Sequence, residues 1–302
     1  MGFQKIYVLG AGAIGSIFGA FLSKDHDVTL VGNKAHTEAI NCKGLTVCGG
    51  IDEIFFLKAD TQIREIHNQT LVILATKAYD SAKAVRDIKE KAKNDTVILI
   101  LQNGLGNEEV IRKAAGKHQK IVRAITAVAA EILEPGKVRF WDGDTIVERT
   151  DDGEKIVDMF NRCNLKTIPS ERMTHEVWKK LVLNCVVNPL SAILCVRNKE
   201  TVADSLKAVR RQIVSECVKV AEAEGISLEE HLEIVIDRRI SRYTNFSSMY
   251  QDLLKGRKTE IDFLNAKVVQ LGRKHDVPTP VNETLTSFIR FKEEMNGLRR
   301  ED

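Results

Sequence analysis

Several features are missing from this chain of 302 residues, and each absence excludes a class of function. No uninterrupted apolar run reaches the roughly 18 residues that suggest a membrane-spanning helix, so no membrane partner is expected. The formal net charge is only +3, with 45 basic and 42 acidic residues interspersed. That pattern lacks the one-signed field that draws a protein to nucleic acid or to a lipid surface. The six cysteines (Cys42, Cys48, Cys163, Cys185, Cys195 and Cys217) contain no CxxC pair and do not cluster with histidine. They read as reduced core thiols of a cytoplasmic protein, not as a disulfide or zinc framework. The seven histidines show no metal spacing, so no metal is expected. Internal repeats and low-complexity tracts are absent as well.

The most informative stretch runs from Lys5 to Gly15, KIYVLGAGAIG. Ile6, Tyr7, Val8 and Leu9 form a short β-prone run that suits a buried parallel strand. The glycine spacing in Gly10-Ala11-Gly12-Ala13-Ile14-Gly15 fits a phosphate-binding turn. Gly10 permits the tight turn, Gly12 lets a pyrophosphate approach the backbone, and Gly15 lets the next helix lie close to the sheet. Ile14, Phe18, Phe21 and Leu22 follow at helical spacing, and Asp27 to Val31 reads as a second strand. A helix N-terminus at this turn offers its amides to phosphates. Lys5 before an apolar run loosely resembles a secretory signal, but the spaced glycines and the strand that follows argue against one. Ile6 stands where a myristoylation signal needs Ser or Thr.

Further strands are predicted at Leu71 to Ala75, Val97 to Leu101, Ile121 to Ala130, Lys137 to Trp141 and Thr145 to Glu148. Turns fall at Glu134-Pro135-Gly136 and Asp142-Gly143-Asp144. The composition shifts near Pro169, and from Met173 onward the pattern is almost wholly helical, with helices over about Thr174 to Leu194 and Val202 to Gly225 and shorter ones to Met295. The fold class is therefore α/β, a Rossmann-type doubly wound N-terminal domain (residues 1–170) followed by an all-α C-terminal domain (171–302). A substrate is expected in the cleft between the two. The apolar positions of the helical half suit either core or a homodimer interface.

NAD-specific sites place an Asp or Glu near the end of the second strand, for the ribose 2′-hydroxyl. Here that strand ends Leu30-Val31-Gly32-Asn33-Lys34, with no carboxylate. Lys34, together with Lys77 after a later strand, favours a 2′-phosphate, so NADP(H) is the expected cofactor. In WKKLVLNCVVNPL, Lys180, Asn184 and Asn188 lie at i, i+4 and i+8 and share one helix face among apolar neighbours. Buried asparagine amides need partners. A polar ligand is one answer. The other is bonding to nearby backbone, with Lys180 reaching solvent. Ser248 and Glu260 each stand at a predicted helix start, Ser248 in a capping-box spelling with Gln251.

Taken together, GAGAIG, Leu101-Gln102-Asn103-Gly104, WKKLVLNCVVNPL, and the stretch from Asn245-Phe246-Ser247-Ser248 to Thr259-Glu260-Ile261-Asp262 resemble the ketopantoate reductase family. The resemblance runs from about residue 4 to about residue 290. It implies NADPH-dependent reduction of the 2-oxo acid ketopantoate to pantoate, a step toward pantothenate and coenzyme A. By position it implies Lys180 as catalytic residue. Asn103, Asn184, Asn188, Asn198, Asn245 and Ser248 would contact the substrate alongside Lys180. Gly10, Ala11, Gly12, Ala13, Ile14, Gly15, Lys77, Asn103, Ala130 and Glu260 would contact the cofactor. Asn33 stands where the family usually has arginine. Lys34 beside it lacks the bidentate fork, which weakens the expected NADPH preference.

These residue types suit the reaction. A ketone needs a hydride at carbon, which nicotinamide supplies, and a proton at oxygen, for which a partly desolvated lysine is a suitable acid. Two other functions fit the same residues, a paralogue acting on another small 2-oxo acid and a non-catalytic NADPH sensor. Lys180 argues against the sensor.

Overall fold

Short apolar segments of the first half assemble into two sheets, and the remainder of the chain is helical. The structure is a computed structural model that describes residues 2–116 and 119–298. It contains two compact units, Met1–Gln102 with Gly106–Met173, and Asn103–Leu105 with Thr174–Asp302.

The first unit contains β1 (Lys5–Leu9), β2 (Val28–Val31), β3 (Leu45–Gly49), β4 (Glu53–Phe55), β5 (Lys58–Asp60), β6 (Thr70–Leu74), β7 (Val97–Ile100), β8 (Lys120–Thr126), β9 (Ala129–Glu134), β10 (Lys137–Trp141), β11 (Thr145–Glu148) and β12 (Thr167–Ser170). Its helices are α1 (Ala13–Leu22), α2 (Lys34–Lys43), α3 (Ser81–Lys89), α4 (Asn107–Ala115) and α5 (Asp151–Arg162). The main sheet has the order β12-β11-β8-β7-β6-β1-β2-β5. It is parallel except where β11 runs against β8. A second sheet has the order β4-β3-β10-β9.

Alternation along β1 sorts side chains to the two faces of the main sheet. Ile6 and Val8, fully buried, join the core under α1 and α5, where the Phe18 and Phe160 rings lie 5.4 Å apart. Tyr7 and Leu9 face the other core, with Val85, Ile88 and Ile111 of α3 and α4. Each such fully buried aliphatic contributes about 1.5–3 kcal/mol. The second sheet packs on α1 through Phe21 and Phe140, with rings 5.4 Å apart.

The second unit contains α6 (Met173–Leu194), α7 (Lys207–Ala223), α8 (Leu232–Ile240), α9 (Ser248–Leu254), α10 (Asn265–Lys274) and α11 (Pro280–Leu298). By length and hydropathy α6 could cross a membrane, yet 72% of its apolar window is buried inside the protein. Its Trp178, Leu181, Val182 and Val186 form the core with Ile213 and Cys217 of α7 and Ile289 of α11.

Three expectations need correction. The run Ile121 to Ala130 is two strands, because the chain leaves β8 after Thr126 and re-enters in the second sheet as β9. The helix expected from Val202 begins at Lys207, after 3₁₀ turns at Asn198–Val202 and Asp204–Leu206. Finally, only Cys163, Cys185 and Cys217 are core thiols. Cys42 and Cys195 are exposed and Cys48 is half-buried.

Candidate active site

The glycine turn is built as its spacing requires. Gly10 has φ +111°, and a Cβ there would sit 2.4 Å from the Thr76 amide nitrogen. A Cβ on Gly15 would lie 2.1 Å from the Gly10 carbonyl oxygen, so α1 can start this close to the strand only with glycine. A Cβ on Gly12 meets nothing within 4 Å. Packing within the protein therefore does not explain Gly12, whereas space for a bound group does. Gly12 opens α1 without a side-chain cap, and the first turn carries no acidic residue. The first intrahelical bond runs from the Ser16 amide to the Gly12 carbonyl. The amides of Ala13, Ile14 and Gly15 thus remain available to an anion.

At the end of β2, Asn33 is the N-cap of α2, its side chain accepting the His36 amide at 3.0 Å. Lys34 is largely exposed and lies 3.7 Å from Glu38. The pairing of β2 with β5 places Asp60 opposite Val31, and the Gly32 amide donates to the Asp60 carbonyl at 3.0 Å. A carboxylate therefore does stand beside the end of the second strand. It arrives from a different strand, which reading along β2 could not reveal.

Lys77 is half-buried and precedes the turn Ala78–Asp80. The buried Gln102 amide fixes this loop, donating to the Thr76 carbonyl at 2.7 Å and to the Ser81 hydroxyl at 2.6 Å. Arg123 donates to the Gln102 carbonyl at 3.2 Å. Complete burial lowers the guanidinium pKa to about 10, against the opposing pull of Glu108 and Glu148. The sequence motif drew attention to Asn103, but Gln102 and Arg123 are what hold the frame. A cavity of about 480 Å³ opens in the same unit, lined by Leu9, Val31, Thr61, Asp80, Lys83 and Asp87 among others. Ala130 is half-buried on β9, paired with Phe140.

The other predicted residues lie in the helical unit. Asn103 belongs to it with Leu105, whose amide donates to the Phe263 carbonyl at 3.2 Å. Gly104 makes that approach possible, with φ +89° and Phe263 oxygen 2.5 Å from where a Cβ would be. The buried Glu260 immediately precedes the turn Ile261–Phe263. On α6, Lys180 is half-buried, while Asn184 and Asn188 are 8% and 6% exposed. Neither of these amides hydrogen-bonds to another described residue, so the backbone-bonded alternative does not hold for them. Asn198 is 4% exposed, and its Oδ1 has no partner among the described residues. Its backbone N–H donates to the Asn245 backbone carbonyl at 3.0 Å, which brings those two segments together. The buried Asn198 Oδ1 thus keeps unspent hydrogen-bonding capacity, which is costly unless a polar group meets it.

The capping role read for Ser248 belongs to Ser247. The Ser247 hydroxyl accepts the Tyr250 amide at 3.1 Å and lies 2.6 Å from the Ser191 hydroxyl on α6. Ser248 is the first residue of α9 and is exposed. Adjacent serines give nearly the same spelling, and the backbone selects the earlier one. Among the described residues, no cluster of His, Cys, Asp and Glu could hold a metal.

A doubly wound sheet with an uncapped glycine turn, followed by a helical unit presenting lysine and asparagines on one helix, defines a nicotinamide-dependent oxidoreductase of two units. The comparisons make this specific. The family described as "Ketopantoate reductase PanE/ApbA" matches residues 6–149, and its "C terminal" counterpart matches residues 172–293. The chain belongs to the ketopantoate reductase family. It is 34% identical to the 2-dehydropantoate 2-reductase of Pyrococcus abyssi (strain GE5 / Orsay), over 98% of this chain and 100% of that one. Among solved structures it resembles the PanE/ApbA family ketopantoate reductase from Ralstonia eutropha JMP134, with TM-score 0.90 and 30% identity over 97% of this chain and 99% of that one. It also resembles D-mandelate dehydrogenase in a ternary structure with NADH and anilino(oxo)acetate, with TM-score 0.89, 30% identity and the same coverage.

Proposed function

We propose that the protein reduces 2-dehydropantoate (ketopantoate) to pantoate, with NADP(H) as its nicotinamide cofactor, in pantothenate and coenzyme A synthesis. The observation that carries this reading is the face of α6, where Lys180 shares a register with two nearly buried asparagines whose side-chain amides have no hydrogen-bond partner among the described residues. Full-length similarity to 2-dehydropantoate 2-reductases supports it.

The glycine turn and the free amides of Ala13, Ile14 and Gly15 suit the pyrophosphate, and Lys34, Lys77, Asn103, Ala130 and Glu260 are the further cofactor contacts in this reading. Bound there, the cofactor supplies the hydride. Lys180 hydrogen-bonds the substrate carbonyl oxygen, stabilises the charge that develops on it, and delivers the proton. Asn184, Asn188, Asn198, Asn245 and Ser248 orient the carboxylate and hydroxyl groups without adding negative charge.

The test is NADPH oxidation on addition of ketopantoate. Lys180→Ala is expected to lower kcat by about 10²–10⁴, the usual contribution of a general acid, while NADPH still binds by fluorescence. Lys179→Ala, next to it, removes a lysine paired with Glu229 and is expected to change kcat little. Turnover within twofold of wild type in Lys180→Ala rules out the catalytic assignment.

A second reading is an NADH-dependent reductase of an aryl 2-oxo acid. The likeness to D-mandelate dehydrogenase and the position of Asp60 favour it. A panel of aliphatic and aryl 2-oxo acids, each assayed with both cofactors, separates the two.

A further inference from the structure

Helix α6 contains Pro189 in its interior. Proline has no amide hydrogen, so the carbonyl four residues earlier, on Cys185, loses its intrahelical donor. Another helix supplies the replacement. The Asn265 side-chain nitrogen, at the start of α10, donates to the Cys185 carbonyl at 3.0 Å. The same nitrogen donates to Asn282 Oδ1 at 2.9 Å. Both partners are acceptors, so chemistry fixes the orientation of the Asn265 amide.

Asn282 is held in turn. Its side-chain nitrogen donates to Glu216 Oε2 at 2.7 Å. The Glu216 carboxylate on α7 also accepts the backbone amides of Val281 and Asn282, each at 3.0 Å, in the first turn of α11. Asn265 and Asn282 are fully buried and Glu216 is 2% exposed. The chain from Glu216 through Asn282 and Asn265 to the Cys185 carbonyl therefore runs through dry interior, where a lost hydrogen bond leaves its partner unsatisfied.

The proline gap falls within the stretch that carries the site. Lys180 and Asn184 precede the Cys185 carbonyl, and Asn188 directly precedes Pro189. We propose that Asn265, oriented by Glu216 through Asn282, is a positioning residue. By completing the gap it fixes how Asn188 stands relative to Lys180 and Asn184. The functional part of this proposal rests on the α6 site described above.

The experiment is a cycle of Asn265→Ala, Pro189→Ala and the double variant. Pro189→Ala restores an amide that can meet the Cys185 carbonyl, and so makes the Asn265 bond redundant. Asn265→Ala is expected to raise KM for the 2-oxo acid about tenfold, with the dinucleotide dissociation constant unchanged. In the Pro189→Ala background the same substitution is expected to add less than twofold to KM and to lower the unfolding temperature less than it does in wild type. Independent effects of the two substitutions on KM and unfolding temperature, or equal loss of dinucleotide and substrate affinity, would overturn the proposal. If Asn265→Ala does not fold, Asn265→Ser, which keeps one donor, enters the same cycle with the same criteria. The unfolding temperatures test the Asn265–Pro189 coupling even if Lys180→Ala proves fully active. Failure of the site reading and failure of this one are therefore distinguishable.

Discussion

Val31, the last residue of β2, pairs with Asp60, the last residue of β5. The pairing sets a carboxylate beside a strand end that has none of its own, 36% exposed and 3.6 Å from Arg64. It opposes a 2′-phosphate and suits a ribose hydroxyl. Lys34, 3.7 Å from Glu38, exerts a weakened pull in the other direction. The preference for NADPH over NADH is expected to be modest. Asp60→Asn is expected to raise the NADPH:NADH ratio of kcat/KM about tenfold, which corresponds to about 1.4 kcal/mol. An unchanged ratio would place the carboxylate out of reach of the ribose.

Two glycines of the same turn are expected to fail in opposite ways. Gly15→Ala drives a methyl into the Gly10 carbonyl and should cost about 1–3 kcal/mol of stability, read as a lowered unfolding temperature. Gly12→Ala meets no protein atom within 4 Å. It should unfold within about a degree or two of wild type yet bind dinucleotide at least about tenfold more weakly, by fluorescence titration. Normal binding in Gly12→Ala would remove the pyrophosphate from this turn.

The buried imidazole of His36 gives the fold a dependence on acid. Its Nδ1 accepts the Gly136 amide at 3.1 Å, so in the neutral ring Nε2 carries the hydrogen and donates to the Ser16 hydroxyl at 3.0 Å. Burial lowers its pKa below the ordinary 6.5. Between the lowered value and about 6.5 the unfolded chain binds more protons than the folded one, so stability rises with pH. The His36 contribution is complete above about pH 6.5 and declines as pH falls toward the folded pKa. Thermal unfolding from pH 7.5 to 5.5 should show wild type losing more than His36→Gln. Parallel curves would assign the acid sensitivity elsewhere.

Parts of this fold were legible because their signals are local. The run from Lys5 to Gly15 states strand, turn and helix within eleven residues, and the structure follows it. Of the second sheet only β10 and the turn before it carried such a signal, while β3 and β4 did not. The partner of β3 is β10, some ninety residues later (Val47 against Val138), and β4 has only three residues, as does β5 at the edge of the main sheet. Asp60 escaped notice for the same reason, since pairing rather than sequence brings it to β2. The site on α6 was readable as a periodicity, because polar residues four apart on an apolar helix are conspicuous. Its support was not. Asn265, Asn282 and Glu216 are scattered over three other helices, and only packing reveals that they serve one carbonyl.

Asn33 has a consequence for how this protein can change. Its side chain closes the first turn of α2, directly after the end of β2. An arginine introduced there would gain a fork for phosphate but leave the His36 amide uncapped, at a cost of about 1 kcal/mol. His36 also ties α2 to Ser16 of α1, so the loss would spread to the helix that begins at the glycine turn. An Asn33→Arg exchange is therefore expected to lower the unfolding temperature of the nucleotide platform together with any change in cofactor choice.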